Sequence, residues 1–132
     1  MLDILHDIHQ YSQNFKISQV ITFFERKGVF ITRSMIQNYV RDGLLPPPIA
    51  KRQYSHKHLA VLALVDALKK VYEMSDIKTV LLPLIDNEGI ELDVYRELIR
   101  ETAALPPPKG LSPLLMMLHS VDVKKEALDR LL

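Results

Sequence analysis

At 132 residues the chain has the length of one ordinary domain, and folding at that size buries well over half of the extended surface, so neither disulfide nor metal is needed. Cysteine is absent and the longest apolar runs, such as residues 59–65, are far too short to cross a bilayer, so a cytoplasmic protein with no membrane association is expected. Seventeen Lys and Arg against sixteen Asp and Glu leave a net charge of +1, a balance that by itself predicts neither nucleic-acid nor membrane binding.

In chain order, Ile17, Val20, Ile21 and Phe24 recur at helical spacing and predict a support helix over residues 18–27, stopped by Gly28. Thr32 is an N-cap for a short second helix, residues 32–43, with Ile36, Tyr39, Val40 and Leu44 on one apolar stripe and Gly43 as its stop. The prolines at 46, 47 and 48 remove three backbone donors and predict a stiff, extended path into a loop ending at Tyr54. Ser55 caps a third and longest helix, in which Val61, Leu64, Val65, Leu68, Val71 and Tyr72 share a face.

A fourth helix starts at Ser75 or Asp76 with Ile77, Val80, Leu81, Leu84 and Ile85 inward, and Pro83 predicts a kink or an early end. After a turn at residues 86–89, Leu92, Tyr95, Ile99 and Ala103 predict a fifth helix closed by the prolines at 106–108. Two short helices follow, one from Ser112 and Pro113 through Leu118 and one capped by Ser120 or Asp122, and no strand longer than the loop at 49–54 is expected.

Charge is unevenly distributed. Residues 33–58 hold Arg33, Arg41, Lys51, Arg52 and Lys57 against Asp42 alone, an excess of +4, while the rest of the chain sums to −3. That asymmetry is the footprint expected of a phosphate-binding surface. The outer face of the second helix displays Arg33, Ser34, Gln37, Asn38 and Arg41, groups that suit base edges and, for Arg41, phosphate. In the loop, Lys51, Arg52, Gln53 and Tyr54 suit phosphate and sugar, with Lys57 and His58 beside them on the next helix.

Tyr39, Arg41, Asp42 and the run Gly43 to Pro47, followed by Arg52, Tyr54, Ser55 and Leu59, resemble the pattern of MerR-type transcriptional regulators across residues 17–71. The chain also resembles a bacterial family catalogued as domain of unknown function 1836, itself described as MerR-like, through Phe30, Ile31, Thr32, Asn38, Tyr39, Val40, the triple proline and Tyr54. The resemblance implies an all-α, MerR-like helix-turn-helix with a short wing at residues 49–54, followed by a compact C-terminal helical extension. It divides the chain into a DNA-binding region, 1–86, and an extension, 87–132, that packs on the core or mediates dimerisation.

The function this implies is a sequence-specific regulator that binds double-stranded DNA as a homodimer, the second helix in the major groove and the wing on the backbone. The competing reading is a protein-interaction module that keeps the scaffold without DNA, using the edge of Tyr39, Val40, Leu44 and Leu45 or the Met116, Met117 segment. No cofactor or metal is expected: the His6, His9 and His56, His58 pairs lack a ligand framework, and the stripe of Asp93, Glu97 and Glu101 alternates with Arg96 and Arg100 as a solvated face does. No catalytic set is apparent, so an enzyme is not expected, and nothing in the sequence marks a small-molecule effector.

Overall fold

A computed structural model describes residues 2–11, 13–99 and 110–131, with side chains at 4–11, 13–98 and 110–121. Among them the chain is mostly helical, with seven α-helices and one small two-stranded sheet. The helices are α1 (Leu2–His9), α2 (Ile17–Arg26), α3 (Arg33–Arg41), α4 (His56–Leu68), α5 (Met74–Leu81), α6 (Leu92–Ile99) and α7 (Leu111–Leu131).

The molecule is organised around α4. From His58 to Leu68 every residue of it is buried except Asp66, so the stripe expected from its sequence is in fact an almost all-round apolar surface. A helix apolar on all sides must be enclosed. Helices α1, α6 and α7 and the second strand pack around it, each buried Leu or Ile contributing about 2 kcal/mol relative to exposure. Asp66, its one half-buried acid, faces Lys69 and Lys70 at 3.8 Å each.

The first and second predicted helices form as α2 and α3 within a residue or two of their expected ends. Thr32 Oγ1 accepts from the Met35 N–H at 3.1 Å, the cap its position called for. Helix α5 passes into a single 3-10 turn at Leu82–Leu84 because Pro83 cannot continue an α-helical ladder.

Three elements depart from the sequence expectation. Helix α1 was not anticipated: only two of its described apolar side chains, Leu5 and Ile8, are buried, too short a signal to read as a period. The turn at 86–89 closes an antiparallel pair, β1 (Ile85–Asp86) and β2 (Gly89–Ile90), in register Ile85 to Ile90 and Asp86 to Gly89. The last two predicted helices are one: Ser120 Oγ donates to the Met116 carbonyl at 3.2 Å instead of capping, and Pro113 sits in the first turn, where its missing N–H costs nothing. The prolines at 106–108, Ala103 and Glu101 lie outside the described residues.

Candidate nucleic-acid interface

Helix α3 turns two unlike faces outward and inward. Ile36 is fully buried and Tyr39 and Val40 half-buried, while Arg33, Ser34, Gln37, Asn38 and Arg41 are all exposed. No carboxylate interrupts that outer face. Asp42, which follows it, lies 3.9 Å from the Arg41 guanidinium and 3.7 Å from Lys78 Nζ of α5, so its charge is offset locally.

The loop after the prolines is held by two sets of backbone bonds. Ile49 and Gln53 exchange N–H to carbonyl bonds of 2.8 and 3.3 Å, closing a tight turn at Ala50–Arg52. Tyr54 and Phe15 exchange bonds of 2.7 and 2.8 Å, which anchors the end of the loop to the segment entering α2. At the tip, Lys51 and Arg52 both have positive φ, 62° and 56°. Two consecutive non-glycine residues in the left-handed region are strained by about 1 kcal/mol or more each, and the result is to thrust two exposed cations out of the fold.

The fold brings the helix and the loop together. Burial raises the Tyr54 phenol above its ordinary value and the Arg33 guanidinium opposes it, so the first residue of α3 lies within electrostatic reach of the loop's end. The same bridge sets exposed Asn14 and Lys16 beside the loop, a placement that no local spacing announces because the pairing spans most of the region.

Three sequence-predicted contacts are placed elsewhere. Tyr54 is 6% exposed and packs edge-on against the His58 ring at 5.4 Å, because its aromatic body fills the joint under the loop. Lys57 is held by Asp86 at 2.6 Å with a side chain only 12% exposed. Burial works to raise Asp86, but the Lys57 hydrogen bond and the Glu88 N–H outweigh it and hold the carboxyl below its ordinary value. His58 is fully buried with both ring nitrogens engaged, so it has nothing to offer a phosphate. The signal that places it was present: it stands three residues after the Ser55 cap, the position whose side chain closes a capping box, and here it does. Gln53 is half-buried; Lys51 and Arg52 remain as the loop's accessible cations.

The other polar groups arrange themselves differently from the sequence pairs. His9 stands edge-on to His56 at 6.2 Å, and both rings contact Tyr95, at 5.4 and 5.7 Å. Among the described residues no group of three metal-capable side chains converges. Met116 is 72% exposed and Leu115 42%, while Leu114 and Leu118 on the same helix are buried. No described helix is long and apolar enough to cross a membrane.

No curated protein and no solved structure matches the chain. Residues 5–98, which contain all eleven positions weighed for DNA contact and leave α7 outside, match the family described as Domain of unknown function (DUF1836), and the chain belongs to that family.

Proposed function

We propose that α2, the turn at 27–32 and α3 act as a MerR-like helix-turn-helix, with α3 in the major groove of double-stranded DNA and the loop at 49–54 as a short wing on the flanking phosphates. The protein is then a sequence-specific transcriptional regulator and not an enzyme. The observation that carries this is the continuous exposed set of Arg33, Ser34, Gln37, Asn38 and Arg41, free of carboxylates, beside a strained loop that presents Lys51 and Arg52. An Arg fork matches the two acceptors of guanine and an amide the acceptor and donor of adenine, whereas the loop cations fix register without reading sequence. Asn14 and Lys16 extend the same surface. Binding as a homodimer would set two copies of α3 about 34 Å apart on a two-fold-related site.

The test is selection from a random-sequence duplex library by mobility shift at two salt concentrations. A two-fold-related motif, bound less tightly by orders of magnitude at the higher salt, is the expected result. Arg52→Glu should abolish retention while leaving helix content unchanged. Retention of nothing at low salt withdraws the proposal.

One observation favours the second reading, a protein-interaction module. Leu115 and Met116 line an open apolar groove of about 650 Å³ with Tyr72 and Val80. The other edge weighed for such docking is less suited to it, since Leu44 and Leu45 are fully buried.

A further inference from the structure

His58 is fully buried, and its hydrogen-bond partners dictate its protonation. Nε2 lies 3.0 Å from the carbonyl oxygen of Pro47, which can only accept, so Nε2 carries the proton. Nδ1 lies 3.1 Å from the Ser55 backbone nitrogen, which can only donate, so Nδ1 presents a bare lone pair. The ring is therefore neutral, in one tautomer. Ser55 Oγ also lies 3.0 Å from Nδ1 and directs its own proton to the Glu88 carbonyl at 3.0 Å. Three segments thus meet at one imidazole: the proline run, the start of α4 and the β1–β2 turn.

The location matters because both ends of the basic loop are rooted there. Pro47 stands two residues before Ile49, the first residue of the closing pair, and Tyr54, directly after Gln53, packs edge-on against the ring. We propose that His58 is the positioning residue of the basic loop and a proton-operated latch: its neutral form joins both loop ends to the start of α4, and protonation sets the Nδ1–H against the Ser55 backbone N–H, turns the ring towards Ser55 Oγ and so loosens the loop ends packed on it. The consequence for DNA rests on the nucleic-acid reading above.

The surroundings hold the latch shut at neutral pH. Burial lowers the ring's proton affinity, the Pro47 and Pro46 carbonyls pull the other way, and of the charges facing it Glu88 of the turn favours protonation while Lys57 of α4 opposes it. The Tyr54 phenol, raised by its own burial, stays neutral throughout this range.

The sign of the effect separates the latch from ordinary electrostatics. Positive charge added to a protein on acidification by itself strengthens phosphate binding. A released loop weakens it.

The experiment is a titration of the full-length, 15N-labelled chain from about pH 7.5 to about pH 5.5 at fixed ionic strength. It follows the His58 ring nitrogens, the backbone amides of residues 49–53, helix content and affinity for a random-sequence duplex. The expected result is that the loop amides move with the His58 midpoint at constant helix content, and that affinity falls about tenfold or more through the same midpoint. His58→Gln, whose amide can accept from Ser55 and donate towards Pro47 but cannot titrate, should bind with little weakening on acidification. His56→Gln should behave as the unsubstituted chain.

Loop amides that ignore His58, a weakening that persists in His58→Gln, or helix loss at the same midpoint would each overturn the proposal. Where His58→Gln does not fold, the amide titration of the unsubstituted chain decides alone. Loop amides that follow His58 in a protein that retains no duplex at any pH would uphold the latch and reject the nucleic-acid reading.

Discussion

Gly89 lies against the backbone of Lys57 so closely that a Cβ built on it would stand 2.3 Å from the Lys57 carbonyl carbon and 2.6 Å from the His58 nitrogen. Its φ of 130° is also one that side-chain-bearing residues rarely adopt. The first turn of α4 and the β1–β2 turn therefore touch through bare backbone, and the Lys57 to Asp86 ion pair and the Ser55 to Glu88 hydrogen bond lie around that contact. Backbone cannot rotate aside as a side chain can. Gly89→Ala should cost about 3 kcal/mol or more in urea unfolding, and a loss under about 1 kcal/mol would show that the turn can move away from α4.

Tyr95 ties the two ends of the family-matched region together, its buried hydroxyl donating to the Leu5 carbonyl at 2.7 Å. Burial raises the phenol well above its ordinary value, so it acts as a neutral donor. Tyr95→Phe keeps the ring against His9 and His56 but strands a buried carbonyl. It should destabilise by about 1–2 kcal/mol in urea unfolding, with fraying of α1 visible as faster amide exchange at residues 5–9. Unchanged exchange there would mean that packing alone holds α1.

What the sequence made legible follows from the range of each signal. Helices α2, α3, α4 and α6 were readable because caps and apolar spacing act within a few residues, as at Thr32 and Ser55. The outer face of α3 was readable for the same reason. The roles of Tyr54 and Lys57 were not, since each depends on a partner distant in sequence, Phe15 for Tyr54 and Asp86 for Lys57, and for His58 the local capping-box spacing was present but the enclosure of α4 that buries it was not. Local charge density counts Lys57 as a surface cation; only the fold reveals that an acid from the β1–β2 turn already holds it. Helix α7 shows the opposite failure, in which good local caps at Ser120 and Asp122 lose to a helix that continues through them.

His56 supplies a pH dependence whose sign is fixed by its setting. Burial first, then His9 and Lys57, lower it below its ordinary value of 6.5, with Glu88 opposing. The native state thus prefers the neutral ring. Above pH 6.5 the contribution to stability is fully present, because both folded and unfolded chains are neutral there. Below it the unfolded chain takes up the proton first, and stability falls until the folded value is passed. The urea midpoint should therefore decline on acidification below that point, and less steeply in His56→Gln. Equal slopes for the two proteins would assign the decline elsewhere, His58 being the next group of the same sign.

Arg52 separates binding from folding at a single position. Its φ of 56° stores about 1–2 kcal/mol of strain that glycine would not feel, while glycine's extra freedom in the unfolded chain costs about 0.5–1 kcal/mol, so Arg52→Gly should leave stability unchanged or raise it by up to about 1.5 kcal/mol. The same substitution deletes one of the loop's two exposed cations. If the loop rests on phosphate, duplex affinity falls uniformly across sequences and the log–log salt dependence becomes shallower by about one unit. Urea unfolding and mobility shifts at several salt concentrations read the two effects independently. A variant that is as stable as expected but binds with an unchanged salt slope would remove the loop from the interface. A variant destabilised by more than about 1 kcal/mol would mean that the Arg52 side chain holds the loop's shape, and that its backbone conformation is supported by contacts rather than strained against them.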